Sequence, residues 1–336
     1  MKDEARNQMI DVLRGASAMA VALFHFNEPY PALHDAYHRI LKWGWLGVPG
    51  FFVVSGFCIA AARQKVGLIS FWFRRLMRIF PPYWASLILV LCVVGLRVAT
   101  TGTNDVTKLP RDLGGWFYTA AALTSPASTV PGLNWVYWSL GYELAFYIVM
   151  GILAYRNSVI FLGLFSALAF FSPGYPFDQW GLFGLGVACY YYTKQQYRTA
   201  LIIGAICLAN IFVRQTLPVA LTGCLTVLLV LFPPRLVLSS FFRPLRQVGP
   251  ISYSLYLIHV PIGCYLLPDY LPWKLSRRFW PSLLQDLVFL LGCILFASLF
   301  YRLAERPSHE LARRAKLGGF KGQAEKIEDG GESVLV

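Results

Sequence analysis

Ile10-Asp11-Val12-Leu13-Arg14-Gly15-Ala16-Ser17-Ala18-Met19-Ala20-Val21-Ala22-Leu23-Phe24-His25 is an apolar run that carries three ionisable side chains. The run it belongs to, 9–27, suits a bilayer crossing, which takes roughly 17–25 residues of helix for a hydrocarbon core about 30 Å thick. Runs of this kind recur to the end of the chain, at 44–62, 80–99, 134–154, 158–172, 177–192, 199–213, 217–232, 250–267 and 283–302, with the first at 9–27. Of the 336 residues 57% are hydrophobic and only 14% charged, against about a quarter charged in a soluble domain. The expectation is an all-α, polytopic integral membrane protein of about ten transmembrane helices. Arg14 interrupts the first run and no small-residue cleavage pattern follows, so that run reads as a retained span rather than a signal peptide.

A net charge of +13 would suggest nucleic acid for a soluble chain. In a membrane protein it follows from the accumulation of Lys and Arg on cytoplasmic loops. With the N-terminus inside, inner segments outnumber outer ones in cations by about two to one. This favours both termini in the cytoplasm and an even number of spans. Residues 1–305 then form the transmembrane domain and 306–336 a polar cytoplasmic tail, expected to be disordered. The seven cysteines all lie in apolar segments without metal-ligand or framework spacing. No metal is expected.

A charge inside a bilayer costs several kcal/mol unless it is paired or faces a cavity, so each is a functional candidate. Arg14 and His25 are eleven residues apart, about 20° beyond three helical turns and roughly 16 Å along the axis. They share a face, with Ala18 and Val21 between them leaving a shallow groove. Asp11 precedes Arg14 by three residues and can pair with it. The plainer alternative has Arg14 reaching to the inner surface and His25 bonding across helices. Arg75 and Arg78 lie one turn apart at the mouth of the third run, a pair suited to phosphate recognition or to simple positive-inside anchoring. In Trp138-Ser139-Leu140-Gly141-Tyr142-Glu143-Leu144-Ala145-Phe146-Tyr147, residues Ser139, Glu143 and Tyr147 form a stripe, and Glu143 lies roughly 13 Å deep. Ser252, Tyr256 and His259 share a face of a later run, either as interhelical glue or as site lining.

At these places the chain resembles the acyltransferase 3 family, membrane proteins that O-acylate bacterial surface sugars and some small molecules. Asp11, Arg14, Gly15 and His25 resemble its Asp-x-x-Arg-Gly opening and following histidine. Gly47-Val48-Pro49-Gly50-Phe51-Phe52-Val53-Val54-Ser55-Gly56-Phe57 is similar to its Gly-Val-x-x-Phe-Phe-x-x-Ser-Gly-Phe signature, with Pro49-Gly50 where an acidic-apolar pair is common. Arg75 and Arg78 match its Arg-x-x-Arg, and Trp138-Ser139-Leu140 with Glu143 its Trp-Ser-Leu-x-x-Glu. Ser252-Tyr253-Ser254-Leu255-Tyr256 with His259 resembles the late Ser-Tyr-x-x-Tyr-Leu-x-His pattern, and Glu305-Arg306-Pro307 the terminal signature. Each motif alone is weak; in order along nearly the whole chain they are specific.

The resemblance implies an O-acyltransferase, most often an O-acetyltransferase, of the bacterial inner membrane. Its co-substrate would be acetyl-CoA or another acyl-CoA, taken from the cytoplasmic side. Its acceptor would be a hydroxyl of exopolysaccharide, lipopolysaccharide or lipo-oligosaccharide, lipid-linked or free, with polysaccharide-assembly proteins as further partners. The donor would then lie on Arg14, Arg75 and Arg78. His25 assisted by Glu143 is expected as general base, or as a transient acyl carrier. Asp11, Ser55, Trp138, Ser139, Tyr142, Ser252, Tyr256 and His259 are expected to line or support the site. A transporter or flippase of a lipid-linked sugar would also bury charges near the midplane. A structural partner of an export complex is a further alternative.

Overall fold

The computed structural model describes residues 2–28, 36–65, 67–104, 107–153, 158–172, 174–271 and 279–315. Its helices in chain order are α1 (Lys2–Asn27), α2 (Ala36–Leu41), α3 (Gly47–Lys65), α4 (Leu68–Thr101) and α5 (Leu113–Ala120). They continue with α6 (Trp138–Leu153), α7 (Ser158–Phe171), α8 (Trp180–Thr193), α9 (Tyr197–Arg214), α10 (Leu217–Leu231) and α11 (Arg243–Val248). The last are α12 (Ser252–His259), α13 (Leu267–Tyr270), α14 (Phe279–Phe300) and α15 (Arg306–Arg314), with π-helical turns at Val260–Leu266 and Tyr301–Glu305. Among the described residues there is no strand. Among the described residues six helical stretches are long and apolar enough to cross a membrane, and Leu162–Phe171 and Leu217–Leu231 are shorter apolar helices. The protein is an all-helical, polytopic membrane protein.

Helix α4 differs from expectation in a way that matters for the site. The third apolar run was expected to begin near residue 80, yet the helix starts at Leu68 and passes through Pro81 and Pro82. Proline removes the amide donor that would bond four residues back. Pro81 therefore leaves the Met77 carbonyl without its helical partner, and the Ser308 hydroxyl donates to it instead. Re-satisfying the freed carbonyl with a serine is what lets proline persist inside a membrane helix. One continuous helix thus carries Arg75 and Arg78 inward rather than leaving them on a loop.

That contact also corrects the expected tail. Residues 306 onward do not begin as irregular chain but as α15, with Pro307 in its first turn, where a missing amide costs nothing. Ser308, His309 and Ala312 are buried, and α15 packs on α4. The rest of the expected tail, 316–336, lies outside the described residues.

Helices of a membrane bundle associate by close packing, because lipid is as apolar as their side chains. Helix α8 packs most extensively on α3 and α9. At the α3–α8 crossing a Cβ on Gly56 would stand 2.0 Å from the Phe183 carbonyl oxygen, and one on Gly186 2.0 Å from that of Val53. Both obstacles are backbone and cannot rotate away. Gly56→Val should therefore destabilise the detergent-solubilised protein by about 3 kcal/mol or more. Thermal unfolding followed by size-exclusion chromatography measures it, and an unchanged midpoint would show that α3 and α8 pack otherwise.

Candidate active site

Five helices converge on one buried cavity of about 70 Å³. Helix α1 contributes Arg14, α3 contributes Ser55 and Cys58, and α4 contributes Arg78. Ser139 and Glu143 come from α6, while Ser252, Tyr253 and Tyr256 come from α12. Val48, Phe51, Phe52, Ile79 and Leu140 complete an otherwise apolar wall. A space of this size holds several water-sized groups. It suits the acyl or phosphate end of a larger molecule, not a whole nucleotide.

The polar walls are tied to one another. Tyr147 donates to Glu143 Oε1 at 2.5 Å, so the expected stripe on α6 forms a real contact. Ser139 Oγ and Tyr256 Oη lie 2.7 Å apart, and Tyr256 also donates to the Val136 carbonyl. The Tyr253 hydroxyl donates to the Ile79 carbonyl at 3.1 Å, locking α12 to α4. Ser252 is the exception: its hydroxyl borders the cavity, is fully buried, and finds no partner among the described residues. An unmatched buried hydroxyl costs about 1–3 kcal/mol unless something binds it.

Arg14 and Arg78 are close enough to repel, and among the described residues neither forms a hydrogen bond or an ion pair. Asp11 is near Arg14 but does not make the expected pair with it; its backbone instead packs on Gly249. Behind the α12 wall, Glu305 is 1% exposed and accepts from Ser254 Oγ at 2.5 Å and Ser254 N at 3.2 Å. Its π-helical turn widens the helix end and brings the carboxylate inward. The sequence marked Glu305 only as part of a terminal signature; its role as an internal anchor needed the packing of α12 on α14.

Several expected site residues lie elsewhere. Arg75 is 6% exposed but does not line the cavity: its guanidinium lies 5.8 Å from the Phe71 ring and 5.7 Å from that of Tyr147. Trp138 and Tyr142 pack on Phe52 at 6.2 and 6.1 Å, and the Tyr142 hydroxyl donates to Asp178 at 2.8 Å. The groove expected between Arg14 and His25 is filled. Ala18 and Val21 are each 1% exposed and pack in one cluster with Leu255, Tyr256 and Ile258.

His25 and Glu143 do not meet. Glu143 faces the arginine cavity, whereas His25 stands at the far end of α1 with Glu28, Trp135 and His259. Its Nδ1 lies 2.9 Å from Glu28 Oε2, and its ring stacks on His259 with centroids 5.5 Å apart. His259 donates from Nδ1 to the Tyr256 carbonyl at 2.8 Å, and its buried Nε2 has no partner among the described residues. Tyr256 thus touches both centres, with its hydroxyl in the cavity and its carbonyl on His259. Glu28 and Cys58 escaped sequence reasoning. For Glu28 the signal was present, a carboxylate three residues after the histidine.

The chain is thus a many-helix membrane protein with a cavity among its helices lined by Arg14, Arg78 and Glu143. The family model described as an acyltransferase domain, that of acyltransferase 3, matches residues 7–302, and the chain belongs to that family. It is similar to the peptidoglycan O-acetyltransferase OatA of Listeria monocytogenes, at 24% identity over 94% of this chain and 57% of that protein. A Staphylococcus aureus protein provisionally named an O-acetyltransferase is 28% identical over 41% of this chain and 23% of its own length. The O-acetyltransferase OatA of Staphylococcus aureus is 27% identical over 32% of this chain and 18% of its own. The chain therefore spans less than two thirds of the length of these relatives. No solved structure matches.

Proposed function

We propose that the protein is a membrane O-acyltransferase, most specifically an O-acetyltransferase, moving an acyl group from cytoplasmic acyl-CoA to a hydroxyl of a surface glycan. The observation that carries this reading is the pair Arg14 and Arg78, two neighbouring cations on one cavity that, among the described residues, form no ion pair, although Glu143 shares the cavity wall and Glu305 lies behind it. Two half-buried cations that face one cavity and repel each other favour an anion between them. An acyl-CoA supplies negative phosphates, and the unmatched Ser252 hydroxyl on the same cavity offers that anion a further donor. The names of the relatives support acetyl as the group and a cell-surface glycan as the acceptor.

The proposed topology has ten crossings of the bacterial inner membrane with both termini in the cytoplasm, supported by the distribution of Lys and Arg. Arg14 and Arg78 hold the donor from the inner side, and Arg75 stiffens Arg78's helix instead of touching the donor. At the outer end His25 acts as general base on the acceptor hydroxyl, whether the glycan is lipid-linked or free. The hydroxyl proton passes to the imidazole as the oxygen attacks the thioester carbon. The carbon–sulfur bond then breaks and CoA leaves as the thiolate, which takes up a proton. Tyr256, in contact with both centres, marks the boundary the acyl group crosses. Assembly proteins of the polysaccharide pathway are natural partners for delivering the acceptor.

Inside-out vesicles from the producing strain, supplied with radiolabelled acetyl-CoA, test the reading. Label is expected in the lumenal glycan with stoichiometric release of free CoA thiol. Vesicles with the gene deleted that label and release CoA equally would overturn it.

A further inference from the structure

We infer that Glu28 is the positioning carboxylate of His25, orienting the imidazole so that Nε2 faces the acceptor hydroxyl. This rests on His25 being the base of the proposed transfer.

The geometry is specific about which nitrogen is engaged. Nδ1 of His25 lies 2.9 Å from Glu28 Oε2. An ionised carboxylate only accepts hydrogen bonds, so Nδ1 must carry the proton and donate it. The Trp135 indole nitrogen lies 3.4 Å from the same Nδ1. A protonated ring nitrogen has no lone pair to offer that N–H, so the shorter contact decides the tautomer and Trp135 packs on the ring edge instead. In the neutral ring Nε2 is then the nitrogen with the free lone pair, as a base requires.

Position on the helix reinforces the contact. His25 lies in the last turn of α1 and Glu28 just past its end at Asn27. A helix C-terminus carries partial negative charge and favours the imidazolium that forms during proton transfer. The hydrogen bond from His25 also holds the Glu28 carboxyl below its ordinary range, so it remains an anion wherever the imidazole works. The opposite face of the ring is closed by His259, stacked at 5.5 Å and itself tied to the Tyr256 carbonyl. The other polar groups nearby are committed elsewhere. Asp286 accepts from Asn27 and Tyr37, and Arg97 pairs with Asp269 at 2.8 Å. Among the described residues Glu28 is the carboxylate within hydrogen-bond reach of the ring.

Its side chain is 54% exposed, whereas that of His25 is 14% exposed. Replacing Glu28 therefore opens no cavity, and fold and donor binding should survive.

The test compares full-length wild type with Glu28→Ala, Glu28→Asp and His25→Ala in membranes of the producing strain. The readout is release of CoA thiol from acetyl-CoA. Glu28→Ala is expected to lower kcat about ten- to a hundredfold with KM for acetyl-CoA unchanged, because orientation of the base is lost and donor binding is not. Glu28→Asp, which keeps an anion at the helix end, should recover a substantial part of the rate. Wild-type kcat in Glu28→Ala, or a fall in which KM rises in parallel, would overturn the positioning role. An active His25→Ala protein would instead overturn the reading beneath it.

Discussion

His25→Ala is expected to abolish acyl transfer while leaving the acyl donor bound. The imidazole stands at the C-terminal end of α1, well removed from the arginine cavity at the other end of the same helical face, roughly 16 Å along the axis. Removing it takes away the base and nothing that touches the donor. A positioned general base contributes about 10²–10⁴ in rate. Release of CoA thiol should fall by that factor, with KM for acetyl-CoA unchanged. Retained donor binding separates lost chemistry from lost fold. His25 also packs on Phe24, Trp135 and His259, so His25→Gln, closer in size, serves as a second probe. Wild-type turnover in both variants would remove His25 from the mechanism and move the search to Glu143.

Arg78→Ala should give the second large effect, and one of opposite character. Here the donor binds poorly, and turnover at saturation changes much less. A hydrogen bond to a charged partner contributes about 1.5–3 kcal/mol, equivalent to roughly a ten- to a hundredfold weaker donor. Arg14→Ala should behave alike. The double variant is expected to fall short of the product of the two, because both cations bind one anion. Arg75→Ala provides the internal comparison. Its guanidinium packs against Phe71 and Tyr147 and does not line the cavity, so stability should suffer more than donor affinity. Binding of radiolabelled acetyl-CoA to the purified variants distinguishes these outcomes. If Arg75→Ala weakens the donor as much as Arg78→Ala, phosphate recognition belongs to the whole Arg-x-x-Arg motif.

Part of this site was legible in the sequence because each piece is a local cost. Arg14 and Glu143 interrupt apolar runs, where a charge needs a reason whatever its neighbours are, and Arg78 stands at the mouth of one. Ser139 and Tyr256 were marked by helical spacing alone, and the structure finds them 2.7 Å apart on facing helices. Spacing could not separate Arg75 from Arg78. Three residues place both on nearly the same face, and only the rings of Phe71 and Tyr147 divert one of them. The expected partnership of His25 with Glu143 failed for a related reason. Each lies on a polar stripe of its own helix, but the depth and rotation of α1 against α6 belong to neither sequence segment.

The amino-acid sequence by itself determined the all-helical membrane class, the order of the apolar runs and which charged residues fall in or beside them. These follow from transfer of each residue into hydrocarbon, a property of the residue and its immediate neighbours. The tertiary structure decided which polar groups share a cavity, that the Arg14–His25 face is packed with side chains, and that Glu28 is the carboxylate His25 meets. Those outcomes depend on how closely backbones approach where Gly56 and Gly186 cross, and on where prolines free carbonyls for partners such as Ser308. They are contacts between residues far apart in the chain, whose geometry no local preference contains.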